Sequence, residues 1–228
     1  LLWQLDDCWP TISWAIVDYF LRPKPAFYAM ARILAPVAVG VQREHHDWSI
    51  SHARPAKTSK YELWAVSSLR EEATALVELR FISVDTGTEV RDRIVHENVR
   101  LVPNGTTNVI LDGVIDHTAY PEPHVLAARI WVDGQLVARD VDWPQPFKYL
   151  DLSDRGLVIS EQDASAAGER RLLITARKPV KCLVFEEREG VTISDSAVDI
   201  VPGDDQVVTI TGLKPGDKPL RYKFLGSD

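Results

Sequence analysis

From Val37 onward the chain is written in short alternating apolar runs, and that alternation admits few folds. Val37–Val41, Tyr61–Val66, Ala73–Val84, Glu89–Val95, Val99–Val102, Val109–Leu111, Val125–Val132 and Gln135–Arg139 read as strands. Side chains on a strand point to opposite faces in turn, so such runs bury one face and wet the other. Between them lie turn signals: Asp85-Thr86-Gly87-Thr88, Pro103-Asn104-Gly105 and the tight hairpin at Asp133-Gly134. Short strands separated by turns, without a convincing helix, predict an immunoglobulin-like β-sandwich over residues 37–148. Trp143–Tyr149, with two prolines among aromatics, reads as a stiff connector. The pattern then repeats in a smaller unit over residues 149–228. Its strands are Leu157–Ser160, Arg171–Ala176, Cys182–Glu186, Val191–Ser194 and Gln206–Thr211, with turns at Pro202–Asp205 and Lys214–Asp217 and a polar loop at Ala164–Glu169. The fold class expected is mainly β.

Composition narrows the function classes. A net charge of −7, without a cluster of Lys and Arg, argues against nucleic acid as a partner. No apolar run is long enough to span a membrane, and no membrane partner is expected. The two cysteines, Cys8 and Cys182, fall in different predicted domains and form no disulfide framework. Asn104-Gly105-Thr106 is a glycosylation sequon in a turn. Localisation stays open between secreted and cytoplasmic, any export signal lying upstream. His45, His46, Asp47 and His52 match no metal-ligand spacing and read as a solvated loop. Glu186–Glu189 reads as a charged hairpin end. No serine sits in a nucleophile elbow, and no glycine-rich phosphate loop is present.

The first 36 residues break the β pattern. Leu1–Leu5 is a short apolar run that reads as a strand buried on both faces, with Asp6 and Asp7 at its carboxyl end. An aromatic segment runs from Trp9 to Trp14, followed by helix-like Ala15–Leu21 and a second helical run, Pro25–Leu34, with proline in its first turn. Trp14, Tyr19 and Phe20 read as core residues of the capping helix. Strand, polar carboxyl end, then helix reads as one βα unit of an α/β barrel over residues 1–36. One unit cannot bury its own faces, so a larger upstream part is expected.

Trp3–Pro10, Ser13–Phe20 and Arg22–Ala29 closely resemble the end of the catalytic barrel in fungal-type β-mannosidases of glycoside hydrolase family 2. The resemblance makes residues 1–36 the last βα unit of a (β/α)8 barrel. Asp142–Tyr149 resembles the join between that family's two C-terminal sandwiches, and Val198–Gly203 a strand and turn of the last one. The resemblance covers the whole chain, densely at its start and thinly between the motifs. It implies a retaining exo-β-mannosidase that hydrolyses terminal non-reducing β-D-mannose through two carboxylates, without a cofactor. Nothing here resembles either catalytic glutamate motif, so no catalytic residue is assigned and the chain alone is expected to be inactive. Its expected partners are an N-terminal fragment carrying the rest of the barrel with both glutamates, and the β-mannoside substrate.

By the same resemblance, Trp3 forms a wall of the sugar pocket, stacking on the C–H face of the pyranose; the alternative is that it fills the barrel interior. Trp9 either extends that wall or packs beneath the loop. Asp6 and Asp7 either hydrogen-bond sugar hydroxyls or serve as a helix cap or loop salt bridge. The family commonly has Asn where Asp6 stands, which questions a charge there, because a carboxylate beside two glutamates would raise their pKa. Two rival functions remain: a family 2 glycosidase of other sugar specificity, and a non-catalytic carbohydrate-binding module. The second would need exposed coplanar aromatics. Of the available Trp48, Trp64, Trp131 and Trp143, alternation puts Trp64 and Trp131 in the cores.

Overall fold

A computed structural model describes residues 2–44, 56–163, 168–214 and 216–227. The His45–His52 cluster, Trp48 and most of the loop predicted over Ala164–Glu169 lie outside the described residues. The protein is mainly β, and the described residues form four antiparallel sheets and one short α-helix. No described helix is long and apolar enough to cross a membrane. Two compact units form, one from Leu34–Asp151 and one from Leu1–Ile33 with Leu152–Asp228.

The Leu34–Asp151 unit holds β1 (Val37–Arg43), β2 (Thr58–Ser67), β3 (Ala73–Ser83), β4 (Glu89–Leu101), β5 (Gly105–Asp116), β6 (His124–Val132) and β7 (Gln135–Asp142). One sheet runs β1-β2-β5, the other β4-β3-β6-β7. Alternation does the packing: Val37, Val39 and Val41 of β1, Leu63 and Ala65 of β2, Val77, Leu79 and Phe81 of β3, and Leu126, Ala128 and Ile130 of β6 share one core. The two runs expected at Glu89–Val95 and Val99–Val102 are a single strand. Its register against β3 slips between Val77↔His96 and Ala75↔Val99, and Asn98 absorbs the extra residue at φ 57°. A left-handed residue is one way to take up the extra position of a bulge, and asparagine tolerates that backbone. At the predicted hairpin both Asp133 and Gly134 have positive φ, as a two-residue turn matching strand twist requires.

Trp64 and Trp131 correct the expectation that they are core residues. Their neighbours Leu63, Ala65 and Ile130 point inward, which turns both tryptophans to the outer faces. Trp64 lies over its cross-strand partner Gly40, where a Cβ would come within 2.4 Å of the indole. The Arg129 guanidinium lies 5.0 Å from the Trp131 ring. Arg129 is one member of a charged cluster on that outer face. It donates to Glu78 at 2.6 Å, Arg93 donates to Glu78 at 3.1 Å, and Arg80 donates to Glu89 at 2.9 Å. Trp143 is buried, with Phe147 at 6.4 Å.

In the other unit, β8 (Val158–Gln162), β9 (Glu169–Thr175), β10 (Val180–Phe185), β11 (Thr192–Ile193), β12 (Val198–Ile200), β13 (Gln206–Thr211) and β14 (Tyr222–Lys223) form two sheets, β11-β13-β9-β8 and β12-β10-β14. Ile174, Val208 and Ile210 of the first pack with Val180, Leu183, Phe185 and Ile200 of the second.

The same unit contains α1 (Pro25–Ile33). Two expectations for residues 1–21 are corrected here. Of the strand expected over Leu1–Leu5, the described residues 2–5 form none, and one parallel bridge, Asp6↔Val17, follows them. A buried parallel strand takes hydrogen bonds from neighbours on both edges, and among the described residues only this bridge flanks it. The helix expected over Ala15–Leu21 is likewise absent, replaced by the bridge Val17↔Pro23 and a turn. Trp14, Tyr19 and Phe20, expected in a core, are exposed because no helix turns them inward.

Candidate functional site

The candidate residues at the start of the chain sit on a stretch folded back on itself. Leu5 C=O accepts from Val17 N–H at 2.9 Å, and Asp7 N–H donates to Val17 C=O at 3.1 Å. Lys24 N–H donates to Ile16 C=O at 2.8 Å, so the chain before Pro25 returns alongside the same segment.

Asp7 is the organising side chain. It is buried, 7% exposed, and accepts from Lys24 Nζ at 2.8 Å and from the Ser13 hydroxyl. The lysine hydrogen bond, reinforced by that of Ser13, holds its carboxyl below the usual carboxylate range. Ser13 Oγ also accepts from Ala15 N–H at 2.9 Å. Three separated parts of the stretch thus converge on one carboxylate, which stays ionised at neutral pH.

The other candidates face outward. Trp3 is 67% and Trp9 70% exposed, and Asp6 is exposed where Asp7 is not. The two aspartates therefore differ in kind: Asp7 braces the segment and Asp6 offers its carboxylate to the surface. Asn104 is exposed at the turn between β4 and β5, with φ 45° and its N–H donating to Leu69 C=O at 2.9 Å. Among the described residues no cluster of His, Cys, Asp and Glu could hold a metal ion.

The Glu186–Glu189 run lies in the connection between β10 and β11. There Glu186 accepts from Arg221 N–H at 3.1 Å, and Arg188 donates to Lys218 C=O at 2.8 Å. Val184, Phe185, Glu186, Arg221, Tyr222 and Lys223 line a groove of about 320 Å³ beside it. Sequence reasoning missed Lys24 and Arg32, the cations that brace the first segment. Each meets its partners only after folding, and for Arg32 those lie 163–165 residues away.

Residues 59–149 match the family model of the mannosidase Ig/CBM-like domain. β-Mannosidase B of Aspergillus fumigatus is 76% identical over 226 residues, covering 99% of this chain and 27% of that protein. β-Mannosidase B of Aspergillus oryzae is 72% identical over the same share of this chain and 26% of its own length. The chain thus spans about a quarter of these relatives. Among solved structures, a β-D-mannosidase from Dictyoglomus thermophilum superposes with a TM-score of 0.73 at 17% identity, covering 97% of this chain and 25% of that one. The exo-chitosanase of Amycolatopsis orientalis gives 0.66 at 15% identity, over 99% of this chain and 30% of its own. Those two likenesses speak to fold alone. By the sequence identity and the domain match, the chain is similar to the C-terminal quarter of the fungal β-mannosidases B.

Proposed function

We propose that this chain is part of a retaining exo-β-mannosidase, hydrolysing terminal non-reducing β-D-mannose residues, and that both catalytic glutamates belong to the upstream part of the enzyme. The observation that carries the reading is the 76% identity to a β-mannosidase B, sustained over nearly the whole chain. Residues 1–36 are then the end of the catalytic barrel, and 37–148 and 149–228 are the two sandwiches that buttress it. Once neighbouring barrel strands flank residues 1–5, the stretch gains the hydrogen-bond partners a strand requires.

In this reading Trp3 is the sugar-stacking wall. Its indole is largely exposed on a stretch whose backbone is pinned to Val17, so it is presented without being used in the local core. A flat π surface suits the polarised C–H face of a pyranose. Asp6 supplies a polar contact to a sugar hydroxyl, Asp7 holds the segment in shape, and Trp9 borders the pocket mouth.

The test is Trp3→Ala in the full-length enzyme with p-nitrophenyl-β-D-mannoside. Loss of a stacking contact is expected to raise KM about tenfold while the enzyme stays folded. An unchanged KM would remove Trp3 from the sugar site. Comparing p-nitrophenyl β-galactoside, β-glucuronide and β-glucosaminide on the same enzyme separates mannosidase from the related specificities.

A further inference from the structure

The Trp3–Asp7 stretch is tied to the far end of the chain by a continuous series of contacts. Gln4 and Leu5 carbonyls accept from Ile16 and Val17 N–H at 3.4 and 2.9 Å. Ile16 C=O accepts from Lys24 N–H at 2.8 Å, and Lys24 Nζ returns to Asp7 at 2.8 Å. Lys24 C=O accepts from Phe27 N–H at 2.9 Å, which joins the stretch to the first turn of α1.

In the last turn of α1, Arg32 reaches the loop between β11 and β12. Its guanidinium meets the Asp195 carboxylate, Ser196 C=O at 3.0 Å and Ala197 C=O at 2.9 Å. Tyr28, four residues earlier on the same helix face, is half-buried. Burial pushes its phenol pKa up, and the negative charges of Glu187 and Asp195 add to the shift. Arg22 lies 3.7 Å from Glu187, a second tie between the first segment and the same sandwich.

An ion pair this exposed contributes little by itself, since the Arg32 and Asp195 side chains are each about one-third exposed. The specificity comes from the other two acceptors. They are successive backbone carbonyls, with Ala197 at φ 53°, so they present a fixed shape to a planar fork of N–H donors. An ammonium on a flexible stem cannot reproduce that pattern.

We propose that Arg32 is a positioning residue for the sugar subsite: through α1 it lets the β11–β12 loop of the terminal sandwich set the placement of the Trp3–Asp7 stretch. A domain without any reacting group thereby tunes affinity for the mannoside. The proposal rests on the assignment of Trp3 to the sugar site.

The experiment uses the full-length enzyme, with Arg32→Ala, Arg32→Lys, Trp3→Ala and the Arg32→Ala/Trp3→Ala double variant. Amide exchange is followed by mass spectrometry over residues 2–24, and kinetics with p-nitrophenyl-β-D-mannoside. Arg32→Ala is expected to speed exchange at the Ile16, Val17 and Lys24 amides about tenfold. It should raise KM about fivefold with kcat within about twofold, and Arg32→Lys should fall between. In the Trp3→Ala background, Arg32→Ala should add nothing further to KM, because its effect runs through that indole. A purely structural role would lower the melting temperature in both backgrounds without this coupling. Unchanged exchange in both Arg32 variants overturns the clamp, and independent multiplication of the two KM effects overturns the positioning role. If Trp3→Ala leaves KM unchanged, the sugar-site reading falls and the positioning role with it. Faster exchange in Arg32→Ala would still establish the tie between domains.

Discussion

His124 shows how one residue can set the acid stability of a sandwich. It is 2% exposed at the start of β6, its Nδ1 is 2.8 Å from Glu122 C=O, and Nε2 has no partner among the described residues. The accepting carbonyl fixes the tautomer with hydrogen on Nδ1. Burial is the main reason its pKa falls to about 4, partly opposed by that hydrogen bond and aided by Arg43, His117 and Arg91. The unfolded chain takes up its proton near pH 6.5 and the native one only near 4. Unfolding therefore binds protons in that window, and stability falls as pH drops through it. The loss is expected to reach about 3 kcal/mol below pH 4. Urea unfolding between pH 7 and 4 measures it. His124→Leu should lose about 1 kcal/mol at pH 7 with the hydrogen bond, yet show a flatter dependence on pH. An equally steep profile in that variant would assign the acid sensitivity elsewhere.

At the scale of elements, the β1-β2-β5 sheet is fastened by two pairings of an aromatic with a glycine, one on each face. Tyr61 covers its partner Gly113 on the core side, and Trp64 covers Gly40 on the outer side. Each glycine leaves room for a ring to lie against the sheet. A Cβ at Gly113 would meet the Tyr61 ring at 2.3 Å, and that ring is 3% exposed with Phe81 at 5.9 Å. It has nowhere to move, so Gly113→Ala is expected to cost about 1–3 kcal/mol. Gly40→Ala meets an indole that can swing toward solvent and should cost less. Chemical denaturation of the two variants checks the order, and a larger loss at Gly40 would contradict it. The strands themselves were legible from alternation: the run predicted at Gln206–Thr211 is β13 residue for residue. Alternation alone allows two registers, and the one that buries Leu63, Ala65 and Ile130 turns Trp64 and Trp131 outward.

At the scale of the molecule, the apolar surface is unevenly spread. Trp3, Leu5, Trp9, Ile12, Trp14, Phe20 and Leu21 are all more than half exposed within the first 21 residues. Such density on one short segment marks a contact surface rather than ordinary scatter. The 228-residue chain by itself is expected to bind anilinonaphthalene sulfonate and to self-associate, whereas residues 34–151, with a complete core, should stay monomeric. Sedimentation velocity with dye fluorescence tests this. A monomeric chain with no dye response would show that the segment covers its own apolar groups.

Sequence alone determined the sandwich architecture, most of its turns and the family resemblance, because alternation, turn chemistry and dense aromatic motifs are local properties of the chain. Trp3, Asp6, Asp7 and Trp9 were singled out by position in a resembling motif, but sequence could not divide their roles. Only the tertiary structure separated Asp7, enclosed by Ser13 and Lys24, from the outward Asp6, Trp3 and Trp9. It alone also decided against a free-standing strand over residues 2–5 and a helix at Ala15–Leu21, and brought Arg32 to Asp195. Those outcomes depend on which partners a segment finds across the fold, and hydrogen bonds between distant residues leave no period in the sequence.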